Sequence, residues 1–151
     1  IRNVYYDIYY NMVKPVVKYS KKDETFIRKY VYSDEAGVAA ITGRTVEEQH
    51  KIACACENNL YIFTNGNNEI IGSVVLREKD DTLDVVELFI KKELRRSENG
   101  SKFLDEIEKM AADEGFARIT IPEGDNWHTH TFCYRRGYTK SAVQGEMEKI
   151  L

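Results

Sequence analysis

The chemistry-bearing residue types are densest between Arg95 and Ser101. Arg95 and Arg96 set two guanidinium groups beside Ser97, Glu98, Asn99, Gly100 and Ser101, a short polar loop with a glycine where a helix begins. The first backbone N–H groups of a helix lack intrahelical partners, and together with the positive end of the helix dipole they favour an anion. The segment therefore reads as a seat for a phosphorylated ligand, with Glu98 the one group there that would repel it if turned inward. A second set is Cys54, Cys56, His128, His130 and Cys133. Thiols and imidazoles suit zinc, but Cys-x-Cys and His-x-His lack its usual spacing, and residues two apart on a helix point away from each other. No metal is expected.

Two elements must position the Arg95–Ser101 loop. Before it, Val85 to Ile90 is a short apolar run rich in β-branched and aromatic residues, which reads as a strand. After it, Phe103, Leu104, Ile107 and Ala111 recur at helical spacing, with Lys102, Asp105, Glu106, Glu108 and Lys109 on the other face, up to a stop at Gly115. Leu60–Thr64 and Glu69–Leu76 read as strands joined by the turn Asn65-Gly66-Asn67-Asn68, and Lys79-Asp80-Asp81 turns into the central strand. Ala117–Ile121 follows the helix as another strand, most simply a parallel neighbour of the central one. Pro122 to Asp125 is turn chemistry, Asn126 to Arg136 reads as a short helix closed by Gly137, and Tyr138–Val143 with Glu146–Leu151 forms a closing hairpin through Gln144-Gly145.

These motifs resemble those of the GNAT superfamily of acyl-CoA-dependent N-acetyltransferases. The superfamily carries Gln/Arg-x-x-Gly-x-Gly/Ala after a central strand, matched here by Arg95-Arg96-Ser97-Glu98-Asn99-Gly100, with Glu98 where the first Gly usually stands. Its second motif opens a helix with Asn and ends it with aromatic-Tyr-x-x-x-Gly-aromatic, matched by Asn126 and by Phe132-Cys133-Tyr134-Arg135-Arg136-Gly137-Tyr138. The resemblance runs from about Leu60 to Leu151. It implies an α/β (α+β) fold: a mixed, mostly antiparallel central sheet flanked by helices, with a parallel strand pair splayed at the cofactor site. It also implies acetyl-CoA as co-substrate, held by Leu88, Phe89 and Ile90 along the central strand, by the Arg95–Ser101 loop, and by Asn126 if that residue does more than cap its helix.

Acetyl transfer from a thioester to an amine needs a neutral amine, a donor to polarise the carbonyl, and an acid for the departing thiolate. Alternation sets Glu87 on the face opposite Val86 and Leu88, in the strand the superfamily uses for its base; a solvated or salt-bridged glutamate is the plainer reading. The superfamily's acid is a Tyr four residues before the Gly. Cys133 holds that position here and Tyr134 is next to it, so either is a candidate, as is an acid-free mechanism. The acceptor would be an amine of a small molecule, peptide or protein. The competing expectation is a GNAT-like domain without turnover that serves as an acyl-CoA sensor or interaction module, favoured by Glu98 and Cys133.

The rest of the chain sets bounds. Its 151 residues at 42% hydrophobic suffice for one core. A net charge of −3 argues against a nucleic-acid partner engaged through a basic surface. No apolar run approaches a membrane span, and three cysteines without a disulfide framework suit the cytoplasm. The chain begins at Ile1 rather than Met, and the expectation is of a chain processed, trimmed or cut from something longer. Ile1, Val4, Tyr5, Ile8, Tyr9 and Met12 predict an amphipathic helical extension over residues 1–12, as a packed helix, an acceptor wall or a homodimer face, ahead of a single domain over 13–151. Pro15–Tyr19 is the expected first strand and Lys22–Tyr32 a helix; Ala36–Gly43 is ambiguous, and Thr45 with Glu48 predicts a capped helix to about Glu57. In the superfamily, the two helices after the first strand shape the acceptor pocket.

Overall fold

The computed structural model describes residues 24–56, 59–94, 99–123 and 132–151. Among the described residues, seven strands form one sheet in the order β1-β2-β3-β4-β5-β7-β6. They are β1 (Phe26–Lys29), β2 (Leu60–Thr64), β3 (Ile70–Lys79), β4 (Thr82–Ile90), β5 (Arg118–Pro122), β6 (Thr139–Lys140) and β7 (Glu146–Ile150). Every neighbouring pair is antiparallel except β4 and β5, which are parallel. Among the described residues, α1 (Glu35–Thr42), α2 (Val46–Ala55) and α3 (Asn99–Asp113) flank the sheet.

The turns follow the sequence chemistry. Asn65 Oδ1 accepts from the backbone N–H groups of Asn67 and Glu69, both at 3.0 Å, which closes the β2–β3 connection around Asn68 at φ 61°. Thr45 caps α2 by accepting from Glu48 N–H at 3.1 Å. The ambiguous Ala36–Gly43 segment is helix α1, stopped at Gly43 with φ 76°. Residues 26–32 are not the expected helix. Phe26–Lys29 is an edge strand, β1, paired with Thr64–Tyr61 of β2, and Tyr32–Asp34 makes a single 3-10 turn. Strand pairing and the packing of Ile27 against the core outweigh the local helix-start pattern there. The expected helix over 1–12, the strand Pro15–Tyr19 and the boundary between them lie outside the described residues.

Helix α3 buries Phe103, Leu104, Ile107 and Ala111 against one face of the sheet, where the Phe103 ring stacks on Phe63 at 4.4 Å between centroids. Burying such a side chain contributes on the order of 2 kcal/mol. Gly72 of β3 lies beneath that stack. A Cβ on it would come within 2.8 Å of both the Phe103 ring and the Phe89 carbonyl oxygen. Neighbouring β2 residues alternate faces. Phe63 joins the α3 side while buried Leu60 and Ile62 face the α1–α2 side.

Candidate active site

The site begins where β4 stops following a regular ladder. Register with β3 pairs Val85 with Leu76 but Glu87 with Val75, so Val86 is an extra residue, a β-bulge. The bulge resets the side-chain alternation. Val85, Leu88 and Ile90 share the core face under α3, while Glu87 and Phe89 face α1 and α2. Strict alternation, which would set Val86 with Leu88 and Val85 with Glu87, does not survive it; Glu87 opposite Leu88 does.

The bulge coincides with a second break. The parallel β4–β5 ladder consists of Thr82↔Arg118, Leu83↔Ile119 and Asp84↔Thr120, and it ends there although β4 continues to Ile90 and β5 to Pro122. From Val85 on, the two strands part. The last rung is held by side chains as well: Asp84 is buried and accepts from Thr120 Oγ1 at 2.9 Å and from Arg77 Nη2 at 2.7 Å. Leu88, Phe89 and Ile90 all lie on the parted stretch of β4, with their register to β3 intact. A one-turn 3-10 helix, Lys92–Leu94, leads on toward the N-terminus of α3 at Asn99. Gly100 and Ser101 fall in the first turn of α3, as the spacing predicts. Arg95, Arg96, Ser97, Glu98 and Asn126 lie outside the described residues.

Glu87 is half-exposed and has a strong partner. Arg44, in the α1–α2 connection, donates from Nη2 to Glu87 Oε1 at 2.7 Å. The same guanidinium stacks over Phe89 at 5.2 Å and donates from Nη1 to Gln49 Oε1 at 3.4 Å. Gln49 is fully buried although it sits on α2. Arg44 thus fastens the α1–α2 connection over the parted part of β4. The sequence offered no sign of it, because the two partners are 43 residues apart and no motif links them.

The two acid candidates have opposite surroundings. Residues 132–135 are helical and Gly137 closes the turn at φ 91°. Cys133 is 1% exposed, inside the apolar core with Tyr138 and Met147, and burial pushes its thiol pKa up against the smaller opposing effect of Arg136. Tyr134 is 65% exposed. The end of this helical turn is tied to α3 through Glu108, which accepts from Lys149 Nζ at 2.7 Å, Arg136 Nη2 at 3.1 Å and the Tyr138 hydroxyl at 3.2 Å. Burial, with Glu108 beside it, drives the Tyr138 phenol pKa far upward. Among the described residues no cluster of His, Cys, Asp and Glu could hold a metal ion. Cys54 and Cys56 lie on the α2 side, apart from Cys133 in the α3-side core.

A sheet whose central parallel pair parts beyond a bulge, with a helix starting just past the parted strand, defines a class of acyltransferase fold. The chain belongs to the acetyltransferase (GNAT) family, whose pattern it matches over residues 21–138. Similar solved structures include the PaiA N-acetyltransferase from Thermoplasma acidophilum in complex with coenzyme A, at 17% identity and a TM-score of 0.66, covering 85% of this chain and 99% of that one. A phosphinothricin acetyltransferase from Sinorhizobium meliloti in complex with AcCoA gives 12% identity and a TM-score of 0.66, covering 85% and 89%. The ribosomal-protein-S18-alanine N-acetyltransferase from Escherichia coli gives 11% and 0.65, covering 82% and 90%. At these identities the likeness is one of fold. No curated protein sequence matches the chain.

Proposed function

We propose that the protein transfers an acetyl group from acetyl-CoA directly to a primary amine of a small molecule, peptide or protein. The parting of β4 from β5 after Asp84↔Thr120 is the observation that carries this reading, because beyond that rung the two parallel strands no longer pair, which in this reading opens a slot between them. An extended pantetheine arm fits such a slot as an added strand, with the backbone at Leu88, Phe89 and Ile90 alongside it and a strand N–H directed at the thioester carbonyl. The first turn of α3, at Asn99, Gly100 and Ser101, would then face the pyrophosphate, with Arg95, Arg96, Ser97 and Glu98 around it.

Glu87 serves as the base in this reading. It takes the amine's proton through a water, and Arg44 holds the carboxylate in place. Tyr134 is preferred to Cys133 as the acid for the departing thiolate. Its side chain is exposed, whereas the Cys133 thiol is closed inside the core and made a weaker acid by burial. That same burial of the residue in the superfamily's Tyr position is what favours the second reading, a domain that binds acyl-CoA without turnover.

Calorimetric titration with acetyl-CoA, followed by free-thiol release against a panel of amines and peptides, tests both. Binding with amine-dependent release supports the enzyme, binding without release the sensor, and no binding refutes both. Glu87→Gln is expected to lower turnover about 100-fold, at the lower end of a positioned base's contribution, while leaving acetyl-CoA affinity unchanged. An unaltered rate at saturating amine would remove Glu87 as the base.

A further inference from the structure

Away from the parted strands, on the β1–β2 side, α1 and α2 bound a cavity of about 440 Å³ lined by Tyr30, Tyr32, Glu35, His50, Cys54 and Cys56, among others. Three of these residues form a chain of contacts. Glu35, at the start of α1, places Oε2 3.0 Å from Nδ1 of His50, and Nε2 of the same ring lies 3.7 Å from Sγ of Cys54. His50 and Cys54 are four apart on α2, so they share one face of the helix. A carboxylate on Nδ1 selects the tautomer with its proton there, which leaves the Nε2 lone pair toward the thiol. The Tyr32 ring meets the imidazole edge-on at 6.2 Å between centroids. Glu35 is nearly buried, whereas Cys54 is exposed to the cavity and solvent. Nucleophile, base and orienting acid therefore stand in the order that activated thiols require.

We propose that Cys54 is a nucleophilic site that accepts an acyl group from a small ester or thioester, with His50 as its base and Glu35 as a positioning residue. In the step, His50 Nε2 takes the thiol proton as Sγ bonds to the carbonyl carbon. The bond from that carbon to the leaving oxygen or sulfur then breaks, the proton passes to the leaving group, and Cys54 is left as a thioester. The cavity is of a size that admits a small acyl donor. Nothing in this step draws on the β4–β5 slot or on CoA binding, so it stands or falls separately from the acetyl-transfer reading.

The test uses the full chain and 4-nitrophenyl acetate. Nitrophenolate release is followed by intact mass, peptide mapping and hydroxylamine treatment. The expected result is one hydroxylamine-labile acetyl group on Cys54 and none on Cys56, with the label lost in Cys54→Ser. A free thiol is a few per cent ionised at neutral pH, so a base can raise its reactive fraction by at most about thirtyfold. We expect His50→Ala to slow acylation about tenfold. Glu35→Ala should slow it similarly, while Glu35→Gln, which keeps an acceptor for Nδ1–H, should retain most of the rate. Should His50→Ala fail to fold, His50→Asn, which keeps a polar side chain on that face of α2, takes its place and must slow acylation alike, because exposure alone already favours Cys54 over Cys56. Equal labelling of the two cysteines in the folded chain, or an unchanged rate in folded His50→Ala, would overturn the proposal.

Discussion

Replacing Arg44 by Ala removes three contacts at once, and their sizes can be set out from the structure. The ion pair with Glu87 is short, but Glu87 is half-exposed, which limits its value to about 0.5 kcal/mol. The stacking over Phe89 contributes about 0.5 kcal/mol at a partly exposed position. Gln49 Oε1 is left in a fully buried side chain without its guanidinium partner, at a cost near 1 kcal/mol because the bond lost is a long one. Arg44→Ala should therefore destabilise the protein by about 2 kcal/mol, seen as a lower urea midpoint at unchanged m. A double-mutant cycle with Glu87→Gln isolates the pair itself. A coupling of about 0.5 kcal/mol that shrinks as salt is added is expected. If the two substitutions add within error at low salt, Arg44 does not engage Glu87 in solution, and the case for a held carboxylate at β4 collapses.

Two further outcomes follow from particular geometries. Gly72→Ala should cost about 1–3 kcal/mol, because its new Cβ meets a carbonyl oxygen of β4 that cannot swing aside; a loss below about 0.5 kcal/mol would show that the strands yield freely. Asp34 is pushed up by burial, but the forked bond from Arg28 and the Val31 N–H more than offset this, so its pKa lies below the ordinary 3.8. A depressed carboxyl contributes stability above its unfolded pKa and loses it as pH falls through the folded value. The stability gap between wild type and Asp34→Asn should therefore stay level down to about pH 5 and narrow as the pH falls below it, and a gap that stays constant in acid would contradict the assignment.

The middle of the chain was legible because its signals are local. The Asn65–Asn68 turn, the Thr45 cap and the stripe from Phe103 to Ala111 each carry their instruction within a few residues, and each element formed where the pattern set it. Strand β1 was not legible. Its residues alternate weakly, and only the partner strand more than thirty positions away decides between helix and strand. The Val86 bulge has no glycine or other local mark, so the change of faces within β4 was hidden even though Glu87 fell on the expected side. Arg44 and the Glu35–His50–Cys54 chain depend on α1 and α2 packing together. His50 and Cys54 stand four apart in the sequence, but nothing in that spacing marked them, because the carboxylate that gives it meaning comes from another helix.

The short β4–β5 ladder has a consequence for how the molecule comes together. Three rungs join strands β1 to β4 to a second group, β5, β7 and β6, and closing those rungs spans a loop containing all of α3. Loop closure of that length costs entropy before any contact repays it. The β2–β4 meander can form from local contacts, while β1 must wait for α1 and α2, and the seam for α3 to bring β5 alongside. Assembly therefore has a built-in order, in which the slot acquires its second wall only after the β2–β4 meander and α3 are in place.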